Sequence, residues 1–357
     1  MYNRRPEIRV RGKRMTDIDW LGKPYYSLDA YFKHTYGEKC YKLAVDAGFT
    51  CPNRDGSLDT RGCIFCSAGG SGEFADKYNI DTQIETGLAR LDKAVGSCFV
   101  IYFQAYTNTY GNVDDLRRIY TEALSHTQIK GISIATRPDC LGDEVIALLE
   151  ELKHTFWDKF IWIELGLQTI HEETAEFIRR KYPLHVYETA VERLNKINIS
   201  VITHIILGLP NETEEMMLET VKYVSNLSVK YLDKSDTQMS LVPDANGNRT
   251  DGNANNKADK IYSHMCGIKL QLLHVLSGTD LAHDYAKGSF RVLEQEEYID
   301  LVIKCLQNVD ERIVIHRVTG DGPKKILVAP KWSGNKKAVL NALHKRMKEL
   351  GARQGTT

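Results

Sequence analysis

The sequence carries no excess charge of either sign: 47 Lys and Arg stand against 47 Asp and Glu in 357 residues. No global field therefore draws the chain onto nucleic acid or a membrane surface. A long apolar run is missing too. The longest, near Val201 to Leu209, is broken by Thr203, His204 and Gly208, whereas a membrane span needs about 18 or more apolar residues. The opening residues, MYNRRPEIRVRGKR, lack the apolar core of a secretory signal, so a cytoplasmic protein with no membrane partner is expected. No internal repeat is present beyond alternating strand and helix patterns. Apolar residues make up 42% and charged residues 26%, which excludes collagen, coiled coil and disorder throughout. Eight cysteines in this length do not suggest a disulfide scaffold, and cytosolic thiols are expected to stay reduced.

The length fits about two domains, or one barrel-type α/β domain of roughly 250 residues with additions. Short apolar runs occur at Tyr41–Asp46, Cys98–Phe103, Gly131–Ala135, Ile161–Leu165, Ser200–Leu207 and Gly267–His274. They lack strict polar alternation, as do parallel strands covered on both faces. Helical stripes lie between them, among them Ile84, Leu88 and Leu91; Val145, Leu149 and Leu152; Ala190, Val191, Leu194 and Ile197; and Met217, Val221 and Val224. Six strands with intervening helices give right-handed βαβ units, hence an open doubly wound sheet or a partial barrel. In either, ligands gather at the C-terminal ends of the strands.

Three regions fall outside that alternation. Residues 1–35 read as an N-terminal extension with a basic patch of Arg4, Arg5, Arg9, Arg11, Lys13 and Arg14. Within the main unit, residues 36–310, the segment at about 229–264 holds DANGNRTDGNANNK. Without an apolar period it reads as a mobile insertion, a substrate lid or a tolerated loop. Residues 311–357 read as strand Arg312–Val318, a Gly-Asp-Gly-Pro turn, strand Lys325–Ala329 and a helix from Lys336. That makes a C-terminal hairpin plus helix.

The cysteines cluster. In CPNRDGSLDTRGCIFC, Cys51 precedes Cys63 by eleven intervening residues and Cys66 follows three positions later. Such a group in a reducing compartment points to metal or catalysis before a bridge. A structural zinc site wants four ligands, usually as two close pairs; only one such pair exists here, and Cys40 is the remaining candidate. The alternative is a 4Fe-4S cluster held by three thiolates, with one iron open to a small molecule. The loop follows the first strand, where a barrel builds its active site, and that favours the cluster.

C-x11-C-x-Phe-C after strand one of a six-strand βα repeat resembles the radical S-adenosylmethionine (radical SAM) superfamily. More narrowly, GFTCPNRDG, GCIFCSAGGSGEFA, YFQAYTNTYG, ELGLQT, GLPNET, LLHVLSGTDLA and HRVTGDGP resemble the YhcC/YtqA-like family, related to the radical SAM domain of the elongator catalytic subunit. The resemblance implies a partial (β/α)6 TIM-type barrel with the cluster at its mouth. There SAM binds the open iron and is cleaved by one electron to methionine and a 5′-deoxyadenosyl radical that abstracts hydrogen. It implies Cys51, Cys63 and Cys66 as cluster ligands and Phe65 in the adenine pocket. Gln104, Thr107 and Asn108 stand where the superfamily usually has a Gly-Gly-Glu motif for the methionine amino group, which this chain lacks. Gln168 matches a residue that bonds the SAM ribose, and Glu164 assists on the same strand or packs there. Arg180 resembles an Arg that pairs with the methionine carboxylate, where its fork suits a carboxylate. Gly208 and Pro210 let backbone approach the adenine. His274 ends strand six, facing the mouth or buried; Glu164 and His274 are the catalytic candidates.

Three functions follow as expectations. The first is a radical SAM lyase acting on a small modified nucleobase; the family resemblance suggests queuine, split to its 7-deazaguanine core in queuosine salvage. The second is radical SAM modification of intact tRNA, with the basic patch contacting phosphates. Both require an electron donor such as flavodoxin or ferredoxin. The third is a non-catalytic, zinc-stabilised binding module, which needs Cys40 as fourth ligand.

Overall fold

Strands whose every residue is buried, such as Cys98–Phe103, need cover on both faces, and parallel βα units supply it. The computed structural model describes residues 9–10, 13–14, 20–70, 79–90, 97–239, 265–320 and 322–357. In chain order the elements are β1 (Arg9–Val10), β2 (Lys13–Arg14), α1 (Leu28–Tyr36), β3 (Cys40–Val45), α2 (Ile80–Arg90), β4 (Cys98–Phe103), α3 (Val113–Ser125), β5 (Ile129–Thr136) and α4 (Asp143–Thr155). There follow β6 (Phe160–Gln168), α5 (Glu172–Phe177), α6 (Leu184–Lys196), β7 (Ser200–Leu207), α7 (Glu214–Met239), β8 (Cys266–Leu272) and β9 (Val275–Leu276). The last are α8 (Asp280–Ala286), α9 (Gln295–Gln307), β10 (Val314–Arg317), β11 (Leu327–Ala329) and α10 (Lys336–Leu350).

The six expected strands form β3 to β8. With β10 they form a seven-stranded parallel sheet in the order β10-β8-β7-β6-β5-β4-β3. The sheet curls into a partial barrel. In a flat sheet β4 and β8 would lie about 19 Å apart, four spacings of some 4.8 Å, yet Lys269 Nζ of β8 donates to Tyr102 Oη of β4 at 3.2 Å. The outer core packs helices on the sheet, with Ile84, Leu116, Tyr120, Leu149, Leu194 and Val221 among its residues.

Three expectations are corrected. The C-terminal strands do not form a hairpin: β10 pairs parallel with β8, because α9 makes a further crossover, and β11 pairs antiparallel with β9. Residues 20–36 are not a mere extension. Helix α1, capped by the Ser27 side chain and ended by left-handed Gly37, contacts the edge strands β3 and β10 and fills the barrel floor with Tyr31 and Phe32 against Trp162. The helix before the expected insertion runs on to Met239, because Tyr231 and Leu232 extend its buried face; residues 240–264 lie outside the described residues. Of the basic patch, Arg9, Lys13 and Arg14 belong to the short β1–β2 pair, and Arg4, Arg5 and Arg11 lie outside the described residues.

The floor also brings together two of the cysteines that lie scattered in the sequence. Cys40 and Cys98 pair directly in the β3–β4 register, with Cα atoms 4.5 Å apart, and are joined as a disulfide.

Candidate active site

At the opposite end of the strands, the loop after β3 folds back through its own backbone. Cys51 C=O accepts from Arg54 and Asp55, Asn53 C=O from Gly62 at 2.7 Å, and Cys63 C=O from Cys66. Other strand-end segments hold it in place: Thr107 N–H donates to Thr50, Ile64 N–H to Ile178, and Leu281 N–H to Ile64. Gly62 sits at φ +77°, and a Cβ there would stand 2.9 Å from the Arg54 guanidinium, which donates to the Cys66 and Ser67 carbonyls. The Asn53 amide, wholly buried, donates to Arg179 C=O at 2.8 Å and to Cys63 Sγ at 3.5 Å. Arg54 and Asn53 thus shape the loop, and neither was expected to. Side-chain donors at short spacing inside the cysteine motif were the available signal.

Cys51, Cys63 and Cys66 are free thiols and line one cavity. Burial, with Cys66 beside it, pushes the Cys63 thiol up to about 12; a thiol in that position ionises on meeting a metal. Among the described residues no three His, Cys, Asp or Glu side chains converge closely enough for a single metal ion. A zinc ion would draw its sulfurs to within about 4 Å of one another, whereas a cluster offers each thiolate its own iron. Cys40, in its disulfide at the far end of β3, is unavailable as a fourth ligand. With Cys40 at the far end of β3, three free thiols remain at the cavity, the number that a cluster with one open iron takes.

Phe65, Gln104, Thr107, Glu164, Gln168, Arg180 and His274 line the same cavity. Gln168 ends β6 at φ +70°, a strained conformation for a side chain other than glycine. Its Oε1 is buried without a hydrogen-bond partner, and Gly166 leaves its amide room; that orphaned acceptor suits a hydroxyl such as those of the SAM ribose. Four expected residues are placed otherwise. Arg180 is fully buried, its Nε donating to Tyr182, its Nη1 to Leu167 and Thr169 and its Nη2 to Glu172, so its fork is engaged on protein. Asn108 is absent from the cavity wall and clasps β4 to β5 through the Phe103 and Ala135 carbonyls. Gly208, at φ +86°, turns the chain beside Leu293; neither it nor Pro210 reaches the cavity wall. His274 does, with Gly320 and Gly322 giving its ring space, which accounts for the glycines of HRVTGDGP.

At the base of this cavity the inward residues of six strands, β3 to β8, form a polar layer. Glu164, on β6, accepts from Lys42 at 2.8 Å and Ser133 at 2.5 Å on one oxygen, and from Lys269 and His204 on the other. Gln271 Nε2 meets His204 Nδ1 at 3.1 Å, which fixes a neutral imidazole with its proton on Nε2. Burial alone would raise the Glu164 pKa, yet Lys269, Lys42 and His204 hold it well below the carboxylate range. Burial pulls Lys269 down to about 7 against the opposing pull of Glu164, and His204 down to about 4. Tyr102, Lys269, His204 and Gln271 were not expected site residues.

Comparisons with known proteins agree with this geometry. The family description "Radical SAM superfamily" matches residues 60–224, and "Radical_SAM C-terminal domain" matches residues 265–349. "Uncharacterized protein YtqA" of Bacillus subtilis is 39% identical over 93% of this chain and 92% of its own. A "tRNA uridine(34) acetyltransferase" of Methanocaldococcus jannaschii is 24% identical over 62% of this chain and 33% of its own. The solved structure of Methanocaldococcus infernus Elp3 superposes with a TM-score of 0.58 at 15% identity, covering 88% of this chain and 64% of that one; it shares the fold. No helix among the described residues is long and apolar enough to cross a membrane.

Proposed function

The chain belongs to the radical SAM superfamily, in the YtqA/YhcC group, and from that premise we propose an enzyme that acts on a small polar substrate held inside the barrel. The superfamily brings a 4Fe-4S cluster and SAM, which supply a carbon radical able to abstract hydrogen. Cys51, Cys63 and Cys66 would hold the cluster, and Phe65 and Gln168 would flank SAM. The strands and the α1 floor exclude water from the reacting groups. The observation that carries the small-substrate reading is the buried layer of Lys42, Tyr102, Glu164, His204, Lys269 and Gln271 under the cysteine loop. Polar side chains placed so deep suit a ligand enclosed by the strands. Queuine, cleaved by a lyase reaction as the family resemblance suggests, is the first compound to test.

Intact tRNA is the second reading, favoured by the similarity to tRNA uridine(34) acetyltransferases. One experiment separates the two. The protein is reconstituted anaerobically with iron and sulfide, reduced with dithionite, and assayed for iron and for 5′-deoxyadenosine. About four irons per chain and deoxyadenosine release that rises with queuine support the lyase; a rise with tRNA alone supports the second. Failure to bind iron or cleave SAM under any of these conditions overturns both.

A further inference from the structure

Three residues without the freedom of glycine stand in the left-handed region near the cysteine loop: Gln168 at φ +70°, Arg179 at +59° and Lys181 at +65°. Such backbone persists only where its surroundings over-determine it. At Gln168 the determinants are visible. Thr169 N–H donates to Leu167 C=O at 2.9 Å, so Gln168 is the middle residue of a γ-turn in its rare, strained form. The Arg180 guanidinium grips that turn on both sides, its Nη1 donating to Leu167 C=O at 3.3 Å and to Thr169 C=O at 2.6 Å. Tyr182 Oη donates to Gly166 C=O, just before the turn, and Arg180 Nε donates to Tyr182 C=O at 2.9 Å. Glu172 takes Nη2 at 3.1 Å. The same segment also holds the cysteine loop, since Ile178 C=O accepts from Ile64 N–H and Arg179 C=O from the Asn53 amide. One short stretch of chain thus grips the cysteine loop through its backbone and the Gln168 turn through a side chain.

We propose that Arg180, seconded by Tyr182, is a positioning residue: it keeps Gln168 in the strained γ-turn and so presents the Gln168 amide, whose Oε1 has no partner, to a ribose hydroxyl of SAM. The inference deepens the proposed function and rests on its radical SAM reading. Arg180 itself makes no contact with SAM in this account. Released from the fork, the turn can relax to negative φ and carry the amide away from the cavity. Lysine cannot stand in, because an ammonium lacks the planar fork that spans two carbonyls. Because Arg180 acts through Gln168, its effect on SAM should vanish once the Gln168 side chain is removed.

The test is anaerobic calorimetric titration of the cluster-loaded, unreduced protein with SAM, which is not cleaved without an electron. Gln168→Ala should weaken SAM about three- to tenfold, as the loss of one neutral hydrogen bond does. Arg180→Lys should weaken it about as much, and the double variant no more than either alone. Ribose preference is the second readout. With methionine present, 5′-deoxyadenosine should bind the wild type about threefold or more tightly than its 2′-deoxy or its 3′-deoxy form. Both single variants should lose that preference, whereas a merely structural defect would weaken all three nucleosides alike. Iron should stay at about four per chain in Arg180→Lys, since main-chain carbonyls hold the cysteine loop. Where that variant does not fold or load iron, Tyr182→Phe, which keeps the ring and so the packing, replaces it with the same loss of preference expected. Additive losses, or a ribose preference that survives the substitution, overturn the inference. A wild type that binds no SAM overturns the radical SAM reading beneath it, and SAM binding without ribose preference overturns the positioning role alone.

Discussion

Glu164 has no exposed surface on its side chain and accepts from four neighbours, so its substitution tests the layer at the level of one charge. Glu164→Gln keeps the shape but leaves two buried ammonium groups facing an amide. Removing one partner of a buried ion pair typically costs about 3–5 kcal/mol, to be read from urea unfolding at pH 6. The pH dependence has a definite sign. Because the folded-state pKa is held well below the ordinary carboxylate value, the contribution of Glu164 is fully present above that ordinary value, about 4.3. It is lost only as pH falls further, through the folded pKa. The stability gap between wild type and Glu164→Gln should therefore be flat from pH 6 to about 5 and shrink below about 4. A gap that closed above pH 5 would place the carboxylate outside the ion pair.

Helix α1 shows how an element far from the cysteines still serves the site. Phe32, 1% exposed, stacks on Trp162 at a centroid distance of 5.6 Å and lies 6.4 Å from Phe160, closing the barrel below the charged layer. Phe32→Ala should cost about 3–5 kcal/mol, as deletion of a buried aromatic does, with the loss measured by thermal unfolding of the iron-loaded protein; an unchanged melting temperature would mean that the floor is closed by other residues. This helix was not legible in the sequence, because LDAYFKHTY mixes aromatic and charged residues after a basic stretch and offers no aliphatic stripe. The six barrel strands were legible because each is an apolar run of the kind that both-face burial requires. The cysteine group itself was legible from spacing, three thiols in sixteen residues, while their role as cluster ligands is what the family resemblance implies. Lys42, Tyr102, His204 and Lys269 were not legible, for each is one polar residue in an apolar strand. Only the curl of the sheet brings them together, and that is a property of all the strands at once. The role expected for Arg180 misled for a related reason: a fork suited to a carboxylate is equally suited to the carbonyls at the end of β6.

At the scale of the whole molecule, the open side of the barrel is closed by residues from both ends of the described chain. Ile315 N–H of β10 donates to Tyr26 C=O at 2.8 Å, so the segment before α1 runs beside the last strand of the sheet. Gln354 then locks the join. It is 2% exposed, its Oε1 accepts from Tyr26 N–H at 2.9 Å, and its Nε2 donates to the Asp310 and Ile313 carbonyls at 2.7 and 2.9 Å. Gln354→Ala strands one buried donor and two acceptors, each worth about 1–3 kcal/mol when left unpaired. The seam should loosen as a unit: amide exchange should quicken in α1 and β10 together, because each leans on the other across the join. Iron content should not change, because the cysteine loop is held from the opposite end of the strands by Thr107, Ile178 and Leu281. Loss of iron in Gln354→Ala would mean that floor and mouth form one cooperative unit, and the barrel could then not assemble its cluster loop before its two ends had met.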